Sequence, residues 1–138
     1  MMNNLLDIQN LTVTYENNVV LDNINHSIKN GESYSVIGKN GAGKSTFLKS
    51  IVGLLPITSG KILFNGIDIT NNPIYKRIDL GISYLSQNNN IFPRLTVKEH
   101  FELVKYKDEG ILEELIPEIL KFKKSYAGNL SGGEQRLL

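Results

Sequence analysis

An α/β fold is what this chain predicts, and three observations carry that prediction. An apolar segment, Ser33-Tyr34-Ser35-Val36-Ile37, runs straight into a glycine-rich loop, and a helical period follows the loop. Asn65-Gly66 stands between two β-forming runs, a strong short hairpin signal. The last third turns to helical spacing, opened by Thr96-Val97-Lys98-Glu99, a capping box.

Taken in order, Leu5 to Tyr15 has partial alternation and many β-formers, so it reads as a first strand. Val19-Val20-Leu21 opens a second, which ends near Ile28 at the Lys29-Asn30-Gly31 turn. Ser33–Ile37 is a third, leading into Gly38. Beyond the loop, Phe47 with Ile51 and Leu48 with Val52 share one helical face, and Gly53 with Pro56 closes the helix. Lys61–Phe64 and Ile67–Ile69 form the hairpin, and Gly81–Leu85 reads as a buried strand ending at Gln87. Val97, Phe101 and Val104 make the stripe behind the capping box. Ile111 to Phe122 carries another, which Pro117 divides or kinks.

Composition excludes several function classes. The chain has 138 residues, 41% hydrophobic and 21% charged, a length for one domain at most or part of a larger one, with a single core favoured. A net charge of +1 gives no electrostatic footprint for nucleic acid or an anionic membrane. Lys121-Phe122-Lys123-Lys124 reads as a solvated helix end. Cysteine is absent, which removes disulfides, thiolate metal sites and cysteine nucleophiles together. The start, Met1 to Asn10, is not a secretory signal, and no apolar run approaches a membrane span. His26 and His100 are far apart and read as surface or strand residues rather than ligands.

Gly38-Lys39-Asn40-Gly41-Ala42-Gly43-Lys44-Ser45, followed by Thr46, matches G-x-x-x-x-G-K-[ST]. The glycines let successive N–H groups converge on a phosphate without Cβ atoms in the way. The next helix aims its positive end at the same place. Lys44 adds a charge near the β- and γ-phosphates, and the Ser45 hydroxyl can ligate Mg²⁺. This loop implies nucleotide binding but does not separate a transporter ATPase from a kinase, a GTPase or a helicase.

A second element narrows the choice. Ser131 can cap a helix and Glu134 completes a second capping box, while Gly132 and Gly133 occupy its first turn. Glycine costs roughly 1 kcal/mol against alanine in a helix interior. Either the helix start is simply flexible, or something approaches this backbone closely.

Leu130-Ser131-Gly132-Gly133-Glu134-Gln135 resembles the signature motif of the ATP-binding cassette (ABC) transporter ATPases, and Gly38–Thr46 resembles their phosphate loop. The resemblance covers the chain from about residue 5. It implies an α/β P-loop NTPase fold of the ABC ATPase type, with an antiparallel β subdomain and a helical subdomain at about 88–130. ATP and Mg²⁺ are the implied cofactors. Tyr15 would stack on adenine, and Gln87 would contact Mg²⁺ and water and relay movement to the transport subunit. Ser131, Gly132 and Gly133, with Glu134 and Gln135, would act in trans on ATP held by a second cassette, in a head-to-tail homo- or heterodimer. Transmembrane permease subunits are the other implied partners, with the chain peripheral on the cytoplasmic face of the cell membrane and no nucleic acid involved. Two stretches, Asn90 to Leu103 and Ala127 to Leu138, also resemble branched-chain amino-acid importer cassettes, with some features shared by lipopolysaccharide exporters.

The family pattern continues past Leu138, so residues 1–138 are expected to be a nucleotide-binding domain incomplete at its C-terminus. The Walker B aspartate, the catalytic glutamate and the switch histidine have no counterpart; Asp108-Glu109 precede the signature and follow no buried strand. Lys44 and Gln87 are then the catalytic candidates, with Ser45 and Gln87 at the metal and no catalytic base. Three expectations follow: part of an ATP-hydrolysing transporter subunit, a nucleotide-binding fragment without hydrolysis, or a truncated product without function.

Overall fold

The computed structural model of the chain describes residues 4–87, 90–103 and 115–138. It divides into two compact units, Met1–Tyr84 and Leu85–Leu138.

The first unit is built on β1 (Asn4–Tyr15) and β2 (Asn18–Lys29), an antiparallel pair closed by Glu16 and Asn17, both at positive φ (46° and 67°). Two left-handed residues in a two-residue loop match the twist of the strands they join. β3 (Ser59–Phe64) lies antiparallel on the other side of β1 and turns through Asn65-Gly66 (φ 49° and 77°) into β4 (Ile67–Asp68). The order is β2-β1-β3-β4.

The partial alternation of β1 has a cause. Leu6 and Ile8 are buried, and so are Leu11 and Val13, one step out of phase. Asn10 absorbs the step: its φ is 50°, and the register against β3 slips between Gln9↔Lys61 and Thr12↔Ser59. This is a β-bulge, and Gly60 faces it at φ 100°. Asn23 (φ 50°) makes the answering irregularity on β2.

α1 (Lys44–Val52) packs Phe47, Ile51 and Val52 inward and ends at Gly53 in the left-handed conformation (φ 83°). Leu48 departs from expectation, since it is exposed; Ser50, not Leu48, occupies the remaining buried position. With Leu6, Ile8, Leu11, Val13, Leu21, Ile62 and Ile69, Phe47 and Ile51 of this face form the core of the unit. Each such side chain contributes about 1.5–3 kcal/mol by burial. α2 (Ile74–Asp79) follows and buries only Arg77.

Two expected strands do not form. Ser33–Ile37 and Gly81–Leu85 have no ladder partner among the described residues, and Ile37 and Leu85 are 91% and 82% exposed. A strand exists only as part of a hydrogen-bonded pair, so β-forming composition alone leaves these segments without ladder pairing. The parallel layer of an α/β sheet is therefore not laddered among the described residues.

In the second unit, α3 (Val97–Leu103), α4 (Pro117–Leu120), a 3₁₀ turn (Ala127–Asn129) and α5 (Gly132–Leu137) surround a small core of Val97, Ile119 and Leu130. Phe101 packs on it as its stripe predicts; Val104, Asp108-Glu109 and Ile111–Glu114 lie outside the described residues. α4 begins at Pro117, after Ile116, whose backbone is not helical (φ −141°, ψ 53°). Lys121–Lys124 form the turn after α4, and the Lys123 carbonyl accepts the Lys98 N–H.

His100 corrects an expectation. It is buried on α3, neither on the surface nor in a strand. Its Nε2 accepts the Phe92 N–H at 2.8 Å, and its Nδ1 lies 2.9 Å from the Thr96 carbonyl. An amide N–H can only donate, so the proton sits on Nδ1 and both ring nitrogens are satisfied. His26 is on β2, exposed, and edge-on to Tyr34. Among the described residues no helix is long and apolar enough to cross a membrane.

Candidate nucleotide-binding site

The loop from Gly38 to Ser45 is held against β2 from below. A Cβ on Gly43 would lie 2.9 Å from Leu21 Cδ2 and 3.2 Å from the Val20 carbonyl oxygen, and φ there is 85°. Both packing and backbone conformation therefore demand glycine. Gly41 (φ 82°) is required by conformation alone, having open space where its Cβ would be. Ala42 N–H bonds back to the Lys39 carbonyl (3.2 Å), and Phe47 N–H to that of Gly43 (2.8 Å), which starts α1.

Lys44 folds over this loop. Its Nζ donates to the carbonyls of Gly38 and Lys39, both at 2.8 Å. An ammonium has three N–H groups, so one donor remains for an incoming acceptor. Asn40 and Ser45 are exposed and Thr46 partly so. Mg²⁺ usually keeps several waters and takes oxygen from one or two protein groups and from substrate phosphate, so the single exposed Ser45 hydroxyl suits it.

The starts of α1 and α2 both lack a side-chain cap and a first-turn carboxylate, but of the two only that of α1 follows the glycine loop, and it contrasts with those of α3 and α5. Gly43 supplies no side-chain cap to α1, and no acidic residue stands in its first turn. The positive end of α1 is thus uncompensated by the chain's own side chains. α3 and α5 are the opposite. Thr96 Oγ1 accepts the Glu99 N–H (3.2 Å) while Glu99 Oε2 accepts the Thr96 N–H (2.7 Å). Ser131 Oγ accepts the Glu134 N–H (3.4 Å) while Glu134 Oε2 accepts the Ser131 N–H (2.7 Å). Hydrogen bonds from the Thr96 backbone and hydroxyl hold the Glu99 carboxyl below the usual glutamate range, and those from Ser131 do so for Glu134.

Tyr15 is 60% exposed at the closed end of the β1–β2 hairpin, opposite Asn18. Val20 and Leu21, a few residues along β2 from that end, abut Gly43 of the phosphate loop.

Gln87 and the signature belong to the second unit. They share a cleft of about 850 Å³ lined by Gln87, Asn90, Gly132, Gln135 and Arg136 among others. Neither Gly132 nor Gly133 has any heavy atom within 4 Å of where a Cβ would be, and neither has a positive φ. Nothing among the described residues requires glycine at either position. Gln135 turns inward: its Nε2 donates to the carbonyls of Leu130 (3.0 Å) and Ala127 (3.3 Å). That amide nitrogen fixes α5 to the preceding turn. The residues that sequence reasoning missed are Arg77 and His100, single polar side chains whose partners are backbone groups that no local motif announces.

Comparison with known proteins bears on the same stretches. A protein-family model described as ABC transporter matches residues 21–138. A probable branched-chain amino acid transport ATP-binding protein of Archaeoglobus fulgidus is 40% identical over 136 residues, covering 93% of this chain and 58% of that protein. A lipopolysaccharide export ATP-binding protein of Haemophilus influenzae is 34% identical, covering 96% and 59%. A spermidine/putrescine import ATP-binding protein of Clostridioides difficile is 32% identical, covering 99% and 41%. The chain thus spans about half the length of these relatives. Among solved structures, the ATP-binding subunit of an ABC transporter superposes with a TM-score of 0.78 at 27% identity, covering 96% of this chain and 59% of that one. A nucleotide-free cassette of an ABC transporter gives 0.75 at 27%, covering 96% and 61%.

Proposed function

The chain belongs to the ABC transporter family, and from that premise we propose that it supplies the ATP-holding face of a transporter cassette and one signature face for a second cassette. The observation that carries the reading is an uncapped helix start joined to a loop of left-handed glycines, a combination that α2, uncapped but preceded by Pro73, does not share. α3 and α5 cap themselves with a carboxylate, whereas α1 presents an uncapped positive end beneath a loop of left-handed glycines. An anion is the missing cap.

In this reading the β- and γ-phosphates of ATP lie over residues 38–46, against the first-turn N–H groups of α1. The third N–H of Lys44 takes a phosphate oxygen while the other two stay on Gly38 and Lys39, so the ammonium is aimed before the ligand arrives. The Ser45 hydroxyl would take Mg²⁺, which when bound neutralises charge that develops on the transferred phosphoryl group, and Gln87 is the second candidate ligand by its family resemblance alone. Tyr15 gives the adenine a flat face, its exposure consistent with that task. Gly132 and Gly133 leave open space over a helix start that packing among the described residues does not fill, which suits the approach of a second cassette's phosphate. ATP hydrolysis, the head-to-tail cassette dimer, permease partners and a peripheral place on the cytoplasmic membrane face complete the proposal. The relatives named above move amino acids, polyamines and lipopolysaccharide by their descriptions, so cargo choice is assigned to the permease rather than to this loop.

Titration of the purified chain with MgATP tests the reading. Saturable binding below millimolar concentration is expected, weakened about tenfold or more in Lys44→Ala, the loss of one charge-assisted hydrogen bond. Equal binding by the two proteins, or none by either, would remove it.

A further inference from the structure

The far end of α1 is held by a single side chain. Arg77, from α2, is 3% exposed. Its Nη1 donates to the carbonyls of Ser50 (2.9 Å) and Ile51 (2.6 Å), in the last turn of α1. Its Nε donates to Asn72 (2.9 Å) and its Nη2 to Thr70 (2.8 Å), the carbonyls of the segment between β4 and α2. Among the described residues no carboxylate takes part; the acceptors are four backbone carbonyls, two of them at the negative end of the α1 dipole. Burial draws the guanidinium below its ordinary pKa.

The helix terminus is shaped to admit this group. A Cβ on Gly53 would come within 3.0 Å of Arg77 Nε and 3.2 Å of Cζ. Glycine is thus needed at that position for its left-handed conformation and also for the space the guanidinium occupies. Ser50, fully buried, turns its hydroxyl back onto the Phe47 carbonyl (2.8 Å) and leaves its own carbonyl to Arg77.

α1 has nine residues, fewer than an isolated helix needs to be even marginally stable. Its apolar face fixes which side is buried, but apolar contact is non-directional and leaves a helix free to tilt and slide. Contacts at the two ends set axis and register. At the front, Gly43 bears on Val20 and Leu21; at the back, Arg77 ties the last carbonyls to Thr70 and Asn72.

We propose that Arg77 is a positioning residue for the phosphate loop, holding the axis of α1 and so the aim of Lys44 and the first-turn N–H groups. The inference rests on the reading that this loop takes the phosphates of ATP. Positioning matters there because a misplacement of about 1 Å can weaken a site by orders of magnitude.

The experiment compares the affinity of the full chain for MgATP with its affinity for AMP, in the unmodified chain, Lys44→Ala, Arg77→Lys and Gly53→Ala. Thermal unfolding of each variant is followed alongside. Arg77→Lys keeps a positive charge and loses the fork; Gly53→Ala keeps the arginine and displaces it. A change that only lowers the folded fraction weakens both ligands equally. Loss of aim narrows the ratio of MgATP to AMP affinity, and a narrowing of about fivefold or more is expected in both variants. An unchanged ratio in both, beside a clear loss in Lys44→Ala, overturns the role of Arg77 and leaves the nucleotide reading standing. Loss of the cooperative unfolding transition in both would assign the clamp to the fold alone and overturn it equally. No difference between the unmodified chain and Lys44→Ala would fell the nucleotide reading, and this inference with it.

Discussion

Gly60 faces the Asn10 bulge so closely that a Cβ there would lie 2.5 Å from the Asn10 carbonyl oxygen and 2.6 Å from that of Gln9. Those atoms are backbone in the central strand of the sheet and have nowhere to go. Gly60→Ala combines this clash with a φ of 100° that L residues avoid, so a loss of about 2–5 kcal/mol is expected, read as a lower urea midpoint. Gly66→Ala is the control, with a positive φ but open space around it, and should lose distinctly less. The loop glycines are legible in the sequence because a motif surrounds them. Gly60 is not, since its requirement comes from residues some fifty positions earlier in the chain. Arg77 is illegible for the same reason: its partners at 50, 51, 70 and 72 are carbonyls that every residue possesses.

Elements made of neighbours were readable, and elements made of distant partners were not. The Asn65-Gly66 hairpin and both capping boxes form where their residue types place them, because each closes over two to four positions. Ser33–Ile37 has equal β-forming character and no ladder, because strand pairing is settled by a second segment. The boxes make a prediction at this scale. Glu99 is held below the usual glutamate range by hydrogen bonds from Thr96. A carboxyl with a depressed folded pKa contributes stability that is present above its unfolded pKa and lost as pH falls through the folded value. Glu99→Gln can still accept the Thr96 N–H but does not titrate there. Between about pH 6 and about pH 3, the melting temperature of unit Leu85–Leu138 should fall less in Glu99→Gln than in the unmodified chain. Parallel pH profiles would contradict the assignment.

Across the whole molecule, order is expected to follow the ladder rather than the composition. Amide hydrogen exchange should be slowest at paired positions of the buried strands, such as Ile8, Leu11 and Ile62, whose side chains are at most 1% exposed. It should be fast across Ser33–Ile37, exposed and without ladder bonds; protection there equal to that of β1 would refute this. The ladder itself carries a constraint on descent. Between Ile8↔His26 and Val13↔Leu21 each strand advances five residues, although the register slips twice on the way, once at each bulge. The Asn10 and Asn23 irregularities cancel. A gene losing either codon alone would throw the Tyr15–Asn18 end of the hairpin one residue out of step, and with it the ring proposed to meet adenine. Losing both would bring it back. Insertions and deletions in this hairpin should therefore survive among relatives in compensating pairs, one on each strand.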